Sequence, residues 1–229
     1  MTPTPIIVLR RLAQIAAAVG VLVGTQAYGN PITLDNTGAA LNSGGTDANW
    51  TVWSQADQGA GSPISATVGS QSSGWISAPT GSQWITELNY PGNATIDYYT
   101  TFSLTDANAS TVSISGSYGV DNALVDVFLN GHSLGITNSG GIDNGNSNGY
   151  VSFTSFTIGG PADASYLNAN GSNTLEFETY NGGDPGGLMV KFSGATYSAS
   201  VPDSGSTAWL LAAGCFALLL TRRQKGVNF

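Results

Sequence analysis

Short runs of β-branched and aromatic residues recur along the middle of this 229-residue chain, and clusters of Gly, Asn, Asp and Pro separate them. Apolar and polar residues alternate within the runs, a pattern typical of half-buried strands. No stretch of this region has the periodicity of a long amphipathic helix. The pattern therefore predicts an all-β domain folded as an antiparallel β-sandwich. The predicted strands are residues 49–55, 94–104, 111–118, 123–129, 150–158, 174–180 and 188–197.

One hairpin turn can be placed from the sequence. Asn130-Gly131 follows a predicted strand directly, and this dipeptide is the strongest short signal for a two-residue hairpin loop. Within that strand every second residue is aliphatic at Val125, Val127 and Leu129. These three side chains are predicted to face the core.

The charged residues are divided unevenly between the middle and the ends of the chain. Five of the six Lys and Arg residues lie near the termini, and only Lys191 lies between them. All fourteen Asp and Glu residues lie in that middle region, whose net charge is therefore 1 − 14 = −13. Cytoplasmic flanks of membrane segments retain basic residues, so the split predicts that the middle region is exported. Its negative charge excludes nucleic acid as an expected partner, because phosphate would be repelled.

The N-terminus has the features of a signal peptide. Two adjacent arginines precede a short apolar run over residues 12–24, and small residues follow at the spacing that signal peptidase accepts. Residues 1–27 are therefore predicted to be a signal helix that signal peptidase removes after Ala27. Cleavage after Gly29 is the second choice.

The C-terminus has another apolar segment, followed by a basic stub. As a helix, residues 204–220 would reach roughly 25 Å, against about 30 Å for a bilayer core. The segment predicts one short transmembrane helix over residues 206–221, followed by a cytoplasmic stub over residues 222–229. The exported domain is then residues 28–200. The predicted stop-transfer residues are Arg222, Arg223 and Lys225.

A turn-forming motif precedes the C-terminal apolar segment, and it reads Val201-Pro202-Asp203-Ser204-Gly205. Proline opposes entry into a helix, and the residues that follow it favour an exposed turn. The motif, the helix and the basic stub, residues 201–229, together resemble the VPDSG variant of the PEP-CTERM sorting signals, although Pro-Glu-Pro itself is absent. The resemblance implies processing by an exosortase. It also implies a membrane-anchored precursor that is passed to the cell surface or the extracellular matrix.

Two clusters in the middle region resemble the jelly-roll modules of the galactose-binding-like superfamily. Residues 127–135 read VFLNGHSLG, and residues 167–177 read LNANGSNTLEF before a Gly-rich loop at 182–187. The resemblance implies a jelly-roll sandwich and a carbohydrate-binding-like module, with surface or matrix polysaccharide as partner. Such modules often hold a structural calcium ion, for which the resemblance assigns no ligands here. No cofactor is predicted.

Four tryptophans lie before or within the first long strands, where exposed rings could stack against sugar. Trp50 and Trp53 are three apart, so on a strand they must face opposite sides. The alternative is that most of these rings form the core, because a sandwich buries large aromatic side chains. The candidate ligand-binding residues are Trp50, Trp53, Trp75 and Trp84.

Signals for catalysis or metal binding are weak. His132 is the only histidine, and the only cysteine, Cys215, lies in the apolar tail. Residues 143–149 have only neutral Asn side chains at most of the positions that a calcium loop fills with carboxylates, so no metal site is predicted. Glu176 and Glu178 share one face of a strand and could serve a glycosidase, but such a pair is more often a solvated strand face. The chain is therefore predicted not to be an enzyme.

Three functions remain open from the sequence. The leading one is an exported, exosortase-processed protein of the cell surface or matrix that carries a carbohydrate-binding-like module. The second is a purely structural or adhesive domain without a sugar site. The third is a glycoside hydrolase. Binding to glycans separates the first from the second, and release of reducing ends would indicate the third.

Overall fold

The computed structural model of the protein covers its middle region. The predicted signal helix, sorting motif, transmembrane helix and basic stub lie outside the described residues, and so do residues 143–148, for which no metal site was predicted. No helix within the described part of the chain is long and apolar enough to cross a membrane. The described residues are 29–54, 62–87, 93–138, 149–183 and 185–200.

The regular structure of these residues is almost entirely strand. Two 3₁₀ turns, Ala109–Thr111 and Ala164–Tyr166, accompany eleven strands. The strands are β1 Asn30–Pro31, β2 Thr46–Ser54, β3 Ile64–Val68, β4 Ile85–Thr86, β5 Ala94–Leu104, β6 Ser113–Asp121, β7 Ala123–Leu129, β8 His132–Ser133, β9 Thr154–Gly159, β10 Gly171–Asn181 and β11 Gly187–Tyr197.

The strands pair antiparallel throughout and form one continuous hydrogen-bonded sheet. Their order is β8-β7-β10-β5-β2-β3-β4-β11-β6-β9, and β1 pairs with β11. The long strands fall into two groups. We call β7, β10, β5 and β2 the front layer, and β11, β6 and β9 the back layer. The short strands β3 and β4 connect the two layers.

Aromatic side chains from the two layers meet in the core. Trp50 of the front layer is fully buried, and its ring lies nearly parallel to that of Phe192 in the back layer, with 6.4 Å between centroids. Phe177 of the front layer meets Phe156 of the back layer edge to face at 5.9 Å. Each buried ring contributes roughly 1.5–3 kcal/mol to folding. The two layers therefore pack face to face, and the predicted all-β architecture is confirmed, with the layering of a β-sandwich.

Two of the strand predictions agree with the structure at both ends. Residues 94–104 and 123–129 match β5 and β7 from end to end. The predicted strand 111–118 begins too early, because Asn108 caps a 3₁₀ turn there and its Oδ1 accepts a hydrogen bond from the backbone N of Ser110 at 3.3 Å. The short strands β3 and β4 were not predicted, since too few residues alternate in them.

The predicted strand 150–158 also begins too early. Tyr150 and Phe153 pack instead against a small cluster built on Trp75 and Trp84. The strand therefore starts only at Thr154. Contacts with a neighbouring cluster override the local alternation here.

A bulge in β7 changes which side chains face the core. The register between β7 and β10 skips one residue, Val125. The prediction that Val125 faces the core is wrong, since it is only half-buried and Leu124 is buried instead, together with Val127 and Leu129. A bulge inserts one extra residue and reverses the alternation beyond it.

The predicted turn at Asn130-Gly131 is confirmed. The two residues have φ of 52° and 79°, and they join β7 to the two-residue strand β8. Positive φ at both central positions is what a type I′ hairpin turn requires, and Asn followed by Gly adopts it at little cost.

Candidate functional site

The outer side of the front layer carries polar and aromatic side chains in register. Every second residue of β10 is buried, and the residues between them lie on the opposite face of the strand. Strand pairing aligns these outward residues in two rows that cross the front layer, which together we call the outer face. The acidic row is Trp53, Asp97, Glu178 and Asp126. The aromatic row is Thr51, Tyr99, Glu176 and Phe128.

The geometry of a β-sheet sets the size of this surface. Neighbouring strands lie about 4.8 Å apart, so a row that crosses four strands spans about 14 Å. Successive outward residues of one strand are about 6.8 Å apart, which sets the distance between the two rows. The outer face can therefore contact an extended ligand at several points along its length.

Asp97 is the most buried member of the outer face. Its side chain is only 9% exposed, and Oδ1 has no hydrogen-bond partner within the described residues. Oδ2 accepts a long hydrogen bond of 3.5 Å from the hydroxyl of Tyr99. Burial, together with the negative charge of Glu178, raises the pKa of Asp97 to about 6. A carboxylate in these surroundings lacks the donors that would stabilise its charge.

The two glutamates of β10 also have raised pKa values. Burial and the charges of Asp97 and Glu178 raise the pKa of Glu176 to about 7. Burial and the charge of Asp126 raise the pKa of Glu178. Neither glutamate makes a side-chain hydrogen bond to another described residue. Burial and the neighbouring carboxylates also raise the pKa of Tyr99, so its hydroxyl stays a neutral donor.

Asp126 differs from the other three carboxylates because its oxygens already have donors. They accept hydrogen bonds from the backbone N of Val127 at 2.7 Å, the backbone N of Ile136 at 3.1 Å and the hydroxyl of Ser133. These bonds hold the segment after β8 against β7. The carboxylates that lack strong donors are therefore Asp97, Glu176 and Glu178, of which the two glutamates are partly exposed and Asp97 is buried.

No basic side chain of the described residues balances the outer face. Lys191 is the only Lys or Arg in this part of the chain, and it lies in the back layer, where its Nζ donates to the carbonyl of Thr80 at 3.0 Å. His132 stacks on the ring of Tyr166 with 4.3 Å between centroids. Asp97, Glu176 and Glu178 therefore have other carboxylates as neighbours, which together with burial raises the pKa of each.

The two tryptophans of β2 lie on opposite sides of the strand, as predicted. Trp50 is fully buried, and its Nε1 donates to the carbonyl of Asp35 at 3.0 Å. Trp53 is half-buried on the outer face and pairs in register with Asp97. Trp50 is thus part of the core, and Trp53 is the tryptophan that a ligand could contact.

The other two candidate tryptophans form a small second core. The rings of Trp75 and Trp84 lie 4.3 Å apart between centroids, and both side chains are buried beside Met189. Nε1 of Trp75 donates to Oδ2 of Asp121 at 2.7 Å, and Nε1 of Trp84 donates to the carbonyl of Ile76 at 3.1 Å. The structure places neither ring on the outer face.

A cleft of about 240 Å³ lies next to this second core, with Trp75, Asp121 and Tyr150 in its wall. Burial raises the pKa of Asp121, and its hydrogen bond from Trp75 opposes that shift. Among the described residues in its wall, Asp121 is the one carboxylate, and it already holds the core side chain of Trp75 in place. The outer face offers three carboxylates without strong donors and three partly exposed rings, so it is the better candidate for ligand binding.

Asp97, Tyr99 and Phe128 were not among the site residues predicted from the sequence. Alternation within residues 94–104 shows that Asp97 and Tyr99 share a face, but it does not show which strands lie on either side. The prediction that Glu176 and Glu178 share a face of one strand is confirmed.

Solved structures with some similarity to this chain include two carbohydrate-binding modules. One is a family 35 module from an environmental isolate, at 17% identity and a TM-score of 0.31, with 59% of this chain and 88% of that chain covered. The other is the family 11 module from Clostridium thermocellum in complex with a β-1,3-1,4-mixed-linked tetrasaccharide. It has 13% identity and a TM-score of 0.32, with 74% of this chain and 99% of that chain covered. TM-scores this low establish neither a shared fold nor a shared ligand.

The tail of the chain gives a specific match. Residues 200–225 match the family model described as the VPDSG-CTERM motif. A search of curated proteins gives no match. The matched residues contain the turn motif, the apolar segment and the three basic residues, so the resemblance drawn from their order is confirmed. This chain therefore ends in a VPDSG-CTERM motif, a sorting tail of the PEP-CTERM type.

Proposed function

We propose that this protein is an exported cell-surface or matrix protein whose galactose-binding-like jelly roll binds glycan through the outer face, without catalysis. The observation that carries the proposal is that partly exposed rings and carboxylates without strong protein donors lie together on that face. Trp53, Tyr99 and Phe128 lie on three different strands, and Asp97 and Glu178 lie in register beside Trp53.

The chemistry of the outer face suits a sugar polymer. Partly exposed aromatic rings offer apolar surface to the C–H face of a pyranose ring, and they lose little side-chain entropy on binding. Carboxylates without donors accept hydrogen bonds from hydroxyl groups, and such bonds to charged groups are stronger than neutral ones. A surface about 14 Å long favours an oligosaccharide over a single sugar.

The sorting tail supplies the route to such a ligand. We infer that signal peptidase removes residues 1–27 and that the segment 206–221 anchors the precursor in the membrane. An exosortase then acts near the motif at 201–205. The exported domain reaches the cell surface or the extracellular matrix, where polysaccharide is abundant.

Glycan binding by the exported protein, purified after expression of the full chain, tests the proposal. Glycan-array and affinity-electrophoresis measurements should show binding to at least one class of polysaccharide. Trp53→Ala should abolish this binding and leave the thermal unfolding temperature nearly unchanged. Thr157→Ala, on the exposed side of the back layer, is the matched control and should bind like wild type.

The alternatives predict different results. Absence of binding to every glycan would support a purely structural or adhesive domain and would overturn the proposal. Binding that survives Trp53→Ala would place the site elsewhere. Release of reducing ends from a bound polysaccharide would support a glycoside hydrolase instead.

A further inference from the structure

No cation among the described residues balances the negative charges of Asp97, Glu176 and Glu178 on the outer face. Asp97 is 9% exposed with one oxygen unpaired, and Glu176 and Glu178 have no side-chain hydrogen bonds to the described residues. Lys191, the only Lys or Arg among the described residues, lies in the back layer and donates to the carbonyl of Thr80. A buried carboxylate without a donor or cation is unfavourable, and raised pKa values are the usual consequence.

A cation bound at the outer face would offset the unfavourable free energy of these carboxylates. An opposite charge within hydrogen-bond distance stabilises the ionised carboxylate and lowers its pKa. The net charge of the middle region, 1 − 14 = −13, would also draw a cationic ligand toward the domain and raise its rate of association.

The arrangement does not suit a metal ion. Within the described residues no three acidic or histidine side chains converge on a point where a metal could sit. Asp97 and Glu178 lie in the acidic row, Glu176 lies in the aromatic row, and the rings of Trp53 and Tyr99 are their neighbours in register. Spaced carboxylates beside aromatic rings fit an organic cation, because ammonium groups also interact favourably with ring faces.

We propose that the outer face selects a cationic glycan, an amino-sugar polymer whose amino groups are free. The proposal rests on the glycan-binding function proposed above and names the ligand class for that same site. The sugar rings stack on Trp53, Tyr99 and Phe128. The ammonium groups donate to the partly exposed carboxylates of Glu176 and Glu178, which then bind as charged pairs, and their positive charge also acts on the buried carboxylate of Asp97 between Trp53 and Glu178.

Three hexasaccharides with the same β-1,4 linkage test the proposal: glucosamine hexamer, N-acetylglucosamine hexamer and cellohexaose. They differ only in the group at carbon 2, which is an ammonium, an acetamide or a hydroxyl. Titration calorimetry with the exported protein at about pH 6 should show binding of the glucosamine hexamer at least about tenfold tighter than that of the other two. Added salt should weaken this binding, because ions screen charge pairs.

Two variants separate the charge effect from stacking. Asp97→Asn and Glu178→Gln keep the size of each side chain and remove its charge, so each should reduce the preference for the glucosamine hexamer about tenfold. Binding of the two neutral hexamers should fall by less, because the amide oxygen of Asn or Gln still accepts a hydrogen bond from a hydroxyl group. Trp53→Ala should weaken all three ligands, and the unfolding temperature of every variant should be checked against wild type.

The outcomes distinguish this inference from the proposed function. A neutral hexamer that binds as tightly as the glucosamine hexamer, with binding still lost in Trp53→Ala, would overturn the cationic ligand and keep the glycan site. A preference that survives both Asp97→Asn and Glu178→Gln would also overturn it. Absence of binding to any glycan would overturn the proposed function itself.

Discussion

The side-chain amide of Asn130 donates a hydrogen bond of 2.8 Å to Oδ1 of Asn173, a residue 43 positions later in the chain. Asn130 occupies the hairpin turn after β7, and its own Oδ1 accepts from the backbone N of Thr174 at 2.8 Å. Asn173 is 1% exposed and also donates to the carbonyl of Asn168 at 3.0 Å. These bonds attach the hairpin turn to the start of β10 and thereby order one end of the front layer.

The first prediction concerns this attachment. Asn173→Ala removes the hydrogen bond from the amide of Asn130, which keeps its bond to the carbonyl of Tyr166, and the two bonds that Asn173 makes with the backbone of Asn168. The free energy of unfolding should fall by about 1–3 kcal/mol. Urea unfolding monitored by tryptophan fluorescence measures the change. Ser172→Ala, an exposed neighbour in the same strand, should change it by less than about 0.5 kcal/mol.

The second prediction compares the two tryptophans of β2. Trp50→Ala removes a fully buried ring and its hydrogen bond to Asp35, so it should destabilise the domain by about 3–5 kcal/mol. Trp53→Ala removes a half-buried ring from the outer face and should cost about 1 kcal/mol or less. Calorimetric unfolding of both variants measures the contrast. Equal losses of stability would mean that Trp53 belongs to the core.

The third prediction concerns the bulge in β7. Val127→Asp places an unpaired carboxylate in the core and should cost several kcal/mol, roughly 3 or more. Val125→Asp introduces the same group at a half-buried position two residues away and should cost less. Circular dichroism during urea unfolding compares the two. If Val125→Asp reduced stability more than Val127→Asp, the position of the bulge at Val125 would be wrong.

The fourth prediction is a pH dependence of stability. Asp97 and Glu176 have pKa values of about 6 and about 7 in the folded domain, above their ordinary values. Between about pH 4 and pH 7 the folded state therefore binds more protons than the unfolded state, and stability falls as pH rises. Over this range the free energy of unfolding of wild type should fall by about 2 kcal/mol relative to that of Asp97→Asn/Glu176→Gln. This is less than the two pKa shifts would give together, because water screens the half-exposed Glu176.

Urea unfolding of wild type and the double variant across this pH range measures the difference. The neighbouring groups that face these two carboxyls are Trp53, Tyr99, Glu178 and Asp126, and they are unchanged in the variant. A constant difference in stability across the range would contradict the raised pKa values.

The fifth prediction concerns the sorting tail. Pro202→Ala/Asp203→Ala should leave membrane insertion intact, because neither residue lies in the apolar segment, and should block processing by removing the exposed turn. The uncut precursor should then accumulate in the membrane fraction of a host that has the exosortase. Gel mobility and cell fractionation detect it. Processing and release like wild type would mean that the motif is only a linker.

A second tail variant separates anchoring from recognition. Changing Arg222, Arg223 and Lys225 together to Gln removes the charge that resists translocation. More of the chain should pass through the membrane, and insertion and processing should both be poor. The precursor should therefore appear outside the membrane fraction, unlike that of the Pro202→Ala/Asp203→Ala variant.

Local sequence patterns in this chain predicted much of the fold. The alternation of residues 94–104 and 123–129 predicted β5 and β7 without error at their ends, because period-two alternation reflects burial on one face of a strand. The same alternation placed Trp50 and Trp53 on opposite sides of β2. It failed at Val125, because a bulge depends on the register with β10 and not on β7 alone.

The sequence by itself determined the class of fold, the Asn130-Gly131 turn and the sorting tail, since each depends on neighbouring residues in the chain. Only the tertiary structure decided the outer face. Trp53, Asp97 and Glu178 come from three separate segments, and they form one row because β5 pairs with β2 on one side and with β10 on the other. That choice of partners follows from how the buried faces of distant strands pack together. A side chain's own neighbours in sequence therefore do not reveal it.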